Sequence, residues 1–402
     1  MSGAGKRPAG VVLAVAGLAL ILVLTLTPAA GPDTGTFRWC LLCGDVGTAD
    51  FIANVALFVP LAAGLVLLGA RARGIVAVAV LLATAIEITQ LAIPGRESTL
   101  GDIVAAGLGA AVVLVARRLW PARRSTRAGL VAAALGLGLV GGAGYLLGPS
   151  LPPTAWYGQW TAALGGYEWY QGRVVGATLG GARLPDGRLP DSRAARASLA
   201  AGAPLVVRAF AGPRTARLAP LFSVADSAYR SIVLLGADRD DLVLLVRRRA
   251  ADLGLFEPDL RWRGALASVR AGDTLALEAR GTRAGVCLSL NGRERCGLGY
   301  RIGRAWALVH FVPGWPPGVL AALDCAFVAL PALLVGLLVR RDAAGAATAL
   351  VALGGLAAIP PALGLLPTPA LQLAASALGF AAGALAPHGG ERRDAPVDAA
   401  VG

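Results

Sequence analysis

The chain has 402 residues, 56% of them hydrophobic and only 15% charged, with a formal net charge of +13. So little charge cannot clothe the surface of a soluble protein this long, so a soluble fold is excluded. The composition is that of a multi-pass α-helical membrane protein.

Runs long enough to cross about 30 Å of hydrocarbon as helices lie near residues 11–29, 51–70, 74–93, 101–116, 128–148, 317–339, 345–366 and 369–387. These eight spans divide the chain into a five-span domain over 1–148, a non-membrane region over 150–315 and three further spans over 317–387. A short polar tail, 388–402, is expected to lack structure. Lys6 and Arg7 before the first run, and Thr27-Pro28-Ala29-Ala30 after it, would also suit a secretory signal. The run is long for a cleaved signal, so a retained span is the reading adopted.

Arginine and lysine set the orientation. One set of short loops and ends carries 13 of them, from Lys6 and Arg7 through Arg71, Arg73, Arg117, Arg118, Arg340 and Arg341 to Arg392 and Arg393. The opposite short loops carry only Arg38 and Arg96. Both termini are therefore expected in the cytoplasm, with residues 150–315 extracytoplasmic. That exported region holds 22 of the 37 basic and 13 of the 24 acidic residues, a balance of +9, which reads as an arginine-rich solvated surface or one that attracts anionic envelope polymers. Topology accounts for the remaining basic excess, so nucleic acid is not an expected partner, whereas membrane lipids are.

Five cysteines fall as Cys40 and Cys43 in the first outer loop, Cys287 and Cys296 in the exported region, and Cys325 in the sixth span. Asn291-Gly292 between Cys287 and Cys296 is a strong hairpin signal, and cysteines flanking such a turn can face each other across two strands as a disulfide. Cys40-Leu-Leu-Cys43 can be a second bridge, a redox pair or half of a metal site. No second CxxC or nearby histidine supports zinc, so a disulfide is expected and no cofactor is assigned.

Between the fifth and sixth spans the periodicity shortens. Residues 205–210, 221–224, 231–235, 242–246, 274–278, 286–290 and 306–310 are strand-like runs separated by turn residues, which predicts an antiparallel sandwich or jelly roll. The order of Phe222-Ser-Val224, Asp241 to Val246, Leu275-Ala-Leu277 and Leu288-Ser-Leu-Asn-Gly292 resembles the laminin-G and concanavalin A-like class over residues 155–312. That resemblance implies carbohydrate binding, sometimes through calcium. Asp238, Asp240 and Asp241 lack the fixed spacing of a calcium loop and read as a solvated turn. Trp156, Trp160, Trp169 and Trp262 suit sugar stacking, core packing or the membrane surface.

Six polar residues converge on one end of spans two to four: Asp50, Asn54, Glu87, Gln90, Arg96 and Asp102. Asp50 and Asn54 are four apart on one helical face, and Glu87 and Gln90 three apart on another. Glu87 precedes Pro94 by seven residues, roughly 10 Å at 1.5 Å per residue, so it needs a partner at depth, for which Arg96 is the natural candidate. An ionisable residue at membrane depth is costly and by default marks a site, although such residues can also bond helices together. Pro60, Gly64 and Gly109 read as packing or kink positions.

Asp50-Phe-Ile-Ala-Asn54, Phe58-Val-Pro60, Glu87-Ile-Thr-Gln90, Arg96 and Asp102-Ile, with Gly109 beyond, resemble the VanZ-like membrane family over residues 50–110. One position departs: where an asparagine is expected after Asp102 stand Ala105-Ala106-Gly107. The resemblance implies a bacterial cytoplasmic-membrane protein of the cell envelope, and its founding member is associated with glycopeptide resistance. No catalytic residue follows from it.

The leading functional expectation is binding of an envelope glycan or lipid-linked precursor at the outer polar mouth, with the jelly roll recognising a glycan. An enzyme using Glu87 or Asp102 as general base lacks an accompanying nucleophile triad, zinc motif or phosphate loop. His310 and His388 offer it little. A transporter ranks last, because the charges gather at one face and no repeated half is evident. The oligomeric state is left open.

Overall fold

The computed structural model describes residues 3–28, 35–120, 124–162, 164, 166–282, 284–311 and 314–386, so the tail from 388, with His388, lies outside the described residues. The chain forms two compact units. One comprises Met1–Gly136, Ala329–Leu353 and Ala374–Gly402; the other comprises Leu137–Val328 and Gly354–Leu373.

The first unit opens with α1 (Gly3–Leu26), β1 (Phe37–Arg38), α2 (Gly47–Leu67), α3 (Ala72–Gln90), β2 (Ser98–Thr99) and α4 (Leu100–Leu119). Ile21, Phe58, Leu61, Ile75 and Ile86 form its core, filled in by alanines at 62, 79, 83, 106 and 110. Small residues let the helix backbones approach, the packing device of membrane bundles. A Cβ on Gly17 would stand 2.6 Å from the Leu61 amide nitrogen, one on Gly64 would run into the Ala14 backbone, and one on Gly109 into the Val55 carbonyl. Gly64 and Gly109 are thus packing positions, and Pro60 lies inside α2.

Helix α5 (Thr126–Leu146) leads into the second unit, whose strands are β3 (Trp156–Trp160), β4 (Arg173–Leu179), β5 (Ala182–Arg183) and β6 (Gly187–Arg188). After α6 (Ser192–Ala200) come β7 (Leu205–Phe210), β8 (Ala219–Asp226), β9 (Ser231–Asp238), β10 (Asp241–Val246) and β11 (Leu260–Trp262). The set closes with β12 (Thr274–Thr282), β13 (Gly285–Leu290) and β14 (Arg293–Leu298). They build two six-stranded antiparallel sheets, ordered β11-β10-β9-β8-β3-β6 and β14-β13-β12-β7-β4-β5. This is the β-sandwich the strand periodicity predicts. In the first sheet β8 is buried at every residue and β9 at all but its first, so its centre is covered on both faces. In the second, β7 alternates buried and outward residues, leaving one face open.

The β13–β14 hairpin turns at Asn291 and Gly292, both at positive φ (48° and 82°), as an Asn-Gly turn requires. Cys287 and Cys296 are bonded across it, and Cys40 is bonded to Cys43.

Two expectations are corrected here. Residues 306–310 are not a strand: Ile302–Leu308 is a 3-10 helix, with the Val309 amide bonded to the Trp306 carbonyl. Four apolar residues and a histidine suit a strand or a buried turn equally, and only tertiary contacts decide. Asp238 and Asp241 are not solvated; the guanidinium of Arg261, 10% exposed, reaches Asp238 at 2.7 Å, Asp241 at 3.0 Å and Asp259 at 2.7 Å. Burial pushes the Asp259 carboxyl up, and Arg261 partly offsets that. Among the tryptophans, Trp156 is core at 1% exposure, whereas Trp169 is 63% exposed.

The chain ends in α7 (Pro317–Leu338), α8 (Ala343–Ala362) and α9 (Ala370–Leu385). In the first unit, α7 and α9 meet through Gly336, Gly379 and Gly383, each lodged against a carbonyl of the facing helix. Among the described residues seven helices, rather than eight, are long and apolar enough to span. Helix α9, with 16 residues, reaches about 24 Å, short of the hydrocarbon thickness. Pro367 and Pro369, just before its first residue, disfavour an earlier start.

Gly64→Leu is expected to destabilise the helical unit by about 1–3 kcal/mol through overpacking, read as a lower melting temperature of the detergent-solubilised protein. In the sandwich, Asp226 is fully buried as a side chain and accepts the amides of Ala228 and Arg230 and the Arg230 guanidinium. Burial alone would raise its pKa, but these donors, the Arg230 side chain foremost, hold it below the ordinary 3.8. A depressed pKa contributes stability above the unfolded value, lost as pH falls through the folded one. Acid titration of Asp226→Asn should therefore show a shallower stability loss below about pH 4, together with a cost near 1–3 kcal/mol at neutral pH.

Candidate functional site

Helix α3 ends in a turn that presents Glu87 and Gln90 on one face, 3% and 6% exposed. Gly95, at φ 70°, reverses the chain, and the two residues of β2 lead into α4. There Thr99 plays two parts. Its hydroxyl caps α4 by accepting the Asp102 amide at 3.2 Å, and its own amide donates to Glu87 Oε2 at 2.7 Å. The Ser98 hydroxyl donates to the Glu87 carbonyl at 2.7 Å. From α2, Asn54 Nδ2 donates to Asp102 Oδ1 at 2.6 Å.

Asn54, Asp102, Thr99 and Glu87 are thus joined across three helices. Asp102 lies within electrostatic range of both Glu87 and Asp50, and Asp50 stands exposed in the first turn of α2, where the helix dipole favours a carboxylate. Gln90 turns the other way, its amide donating to the Thr25 carbonyl of α1 at 2.8 Å.

The expected Glu87–Arg96 pair is not formed. The Arg96 guanidinium donates to the carbonyls of Thr27 (2.8 Å) and Leu24 (2.6 Å). It caps the end of α1, where unsatisfied carbonyls and the negative dipole end attract a cation. Glu87 takes a backbone amide instead. Where an asparagine is expected after Asp102, Ala105 and Ala106 are fully buried and put methyl groups against their neighbours. The amide donor to Asp102 comes from α2.

Two acceptors are left over. Among the described residues nothing donates to the second oxygen of Glu87, and Gln90 Oε1 is buried without a partner. They lie one turn apart on the same face of α3.

The loop before α2 covers this end of the bundle. Strand β1 pairs in parallel with β2, Phe37 opposite Ser98 and Arg38 opposite Thr99, and Arg38 bridges Glu97 at 2.9 Å. The Gly101 amide donates to the Cys40 carbonyl at 3.1 Å.

A second buried polar cluster, in the other unit, escaped the sequence reading. Asp324 of α7, 8% exposed, receives Arg304 Nε at 2.7 Å and Nη2 at 3.0 Å, with Trp306 Nε1 at 2.8 Å. The sandwich is bolted to α7 by this bidentate pair. Gln372 lies over Gly303, where a Cβ would stand 2.5 Å from its amide nitrogen. An aspartate seven residues into a span was a readable signal; its partners were not.

Fold and site together define a multi-pass helical membrane protein with a β-sandwich between its amino- and carboxy-terminal helices. Residues 15–120 match the VanZ/LLP1 family model, so the chain carries a VanZ/LLP1 domain, and that stretch contains all six polar residues. No curated protein and no solved structure matches the chain.

Arg304→Ala should leave Asp324 buried without its bidentate partner and cost about 3–5 kcal/mol, whereas Arg304→Met with Asp324→Leu should cost much less. Thermal denaturation of the purified variants in detergent measures both.

Proposed function

We propose that this is an envelope protein of the bacterial cytoplasmic membrane that binds a lipid-linked or cell-wall component through the polar end of α2, α3 and α4. In this reading α9 crosses as a short eighth span, both termini face the cytoplasm and residues 150–315 the exterior, supported by the 13 basic residues on one side against Arg38 and Arg96 on the other. The observation that carries the binding reading is the Glu87 oxygen that no described donor claims, within electrostatic range of the Asp102 carboxylate, with the unpartnered Gln90 Oε1 one turn further along α3. A cluster rich in acceptors selects donors, so the group it suits is a sugar hydroxyl or an amino group. The Arg96 guanidinium donates to backbone carbonyls at the end of α1.

The open face of the second sheet, with Val175, Arg208, Phe210 and Ala276 outward, is the surface on which a laminin-G-like module would engage a glycan or anionic polymer. Arg173 lies over the Phe210 ring at 5.4 Å, offering a flat cationic platform. Binding of a cell-wall precursor at the membrane surface accords with the glycopeptide-resistance association that the family resemblance implies.

Native mass spectrometry of the purified protein with lipid-linked cell-wall precursor tests the reading. Glu87→Gln and Asp102→Asn are each expected to weaken binding about tenfold, the loss of one charge-assisted hydrogen bond. Equal binding by all three proteins would overturn it, and turnover of the precursor that Asp102→Asn abolishes would assign catalysis instead.

A further inference from the structure

The loop between α1 and α2 exposes an apolar tip that the carboxylate site does not use. Trp39, Leu41 and Leu42 are 82%, 52% and 55% exposed; the two leucines lie inside the ring closed by the Cys40–Cys43 disulfide and Trp39 immediately precedes it. Phe37 meets the Trp39 ring edge-on at 5.0 Å. Three large apolar side chains held outward within four residues, at and beside so short a ring, mark an interaction surface.

The backbone beneath them is tightly seated. The Leu41 carbonyl rests so close to Gly101 that any side chain there would collide with it, and a Cβ on Gly47 would stand 2.5 Å from the Leu42 carbonyl carbon. Gly47 and Gly101 lie in the first turns of α2 and α4, and α1 and α3 end at Leu26 and Gln90. The ring therefore lies at the level where four apolar helices stop, the boundary between hydrocarbon and headgroups, where tryptophan concentrates in membrane proteins. At the same end of the bundle Leu24 (53%), Ile88 (65%) and Leu91 (38%) are exposed as well, so the tip continues a lipid-facing surface.

The ring is also wired to the carboxylates. From Cys40 the chain runs back two residues to β1, β1 pairs with β2, and β2 holds Thr99, whose amide donates to Glu87 and whose hydroxyl caps Asp102. We propose that the Cys40–Cys43 ring is an interfacial anchor: Trp39, Leu41 and Leu42 insert at the headgroup boundary of the bilayer, and the disulfide clamps β1 on β2 so that Thr99 stays in register with Glu87. The anchor does not depend on what the carboxylate site binds, and lipid is its partner in either orientation.

Two measurements on the full chain in phosphatidylcholine liposomes test it. The emission that Trp39→Phe removes from wild type should fall by about half or more when the lipid is brominated near the headgroup, as for an interfacial indole. Emission untouched by bromine but quenched by aqueous acrylamide would overturn the insertion. For the clamp, dithiothreitol supplies two electrons and two protons, turning the disulfide into two thiols as it becomes a cyclic disulfide itself. In a Cys287→Ser, Cys296→Ser background, it should speed amide exchange at residues 98–101 about tenfold, the signature of local opening. Adding Cys40→Ala and Cys43→Ala should give the fast exchange without reductant. Unchanged exchange on reduction would overturn the clamp.

Discussion

The amide of Thr99 donating to Glu87 at 2.7 Å holds the helical unit's polar end together. A carboxylate this deep in an apolar bundle survives only with a donor, and an amide at the start of a helix brings both a hydrogen bond and the positive end of the dipole. Through that bond the end of α3 is tied to the beginning of α4. Asn54 then ties α4 to α2, and Gln90 ties α3 to α1. Four helices whose remaining contacts are largely nondirectional acquire a fixed register at one end from a few directional bonds.

The second unit follows the same rule. Asp324 is held by Arg304 and Trp306, and Asp238, Asp241 and Asp259 gather around Arg261. Arg248 donates to the Leu147 carbonyl just beyond α5 and lies over the Tyr300 ring at 4.2 Å. In each case a guanidinium supplies the charge and several directional donors at once, which is why arginine rather than lysine occupies these positions. The acidic cluster at 238–241 is thereby part of the sandwich's framework.

Close approach is the other requirement of both helical segments. Gly17, Gly64 and Gly109 on one side, and Gly336, Gly379 and Gly383 on the other, bring backbones together where apolar side chains gain nothing by leaving lipid for protein. Gly47 and Gly101 apply the same device to a loop, and so let the disulfide ring sit on the helix ends.

The helices were legible because long apolar runs in lipid must satisfy their backbone internally, and apart from α1, which starts eight residues before its run, the observed limits fall within a few residues of the runs. The eighth run is a helix too, α9, though with 16 residues it is shorter than the hydrocarbon thickness. Alternation and the Asn291-Gly292 turn likewise disclosed the sandwich and its Cys287–Cys296 bridge, since side-chain period and turn geometry are local properties. The polar residues of the site were visible as violations of apolarity. Their partners were not, because a hydrogen bond between residues 54 and 102, or 304 and 324, depends on helix rotation and depth that no local pattern encodes. Tertiary structure alone decided that Arg96 caps α1 while Thr99 serves Glu87: a guanidinium on a tight loop reaches whichever acceptors the packed helices present, and the carbonyls of Leu24 and Thr27 are among them.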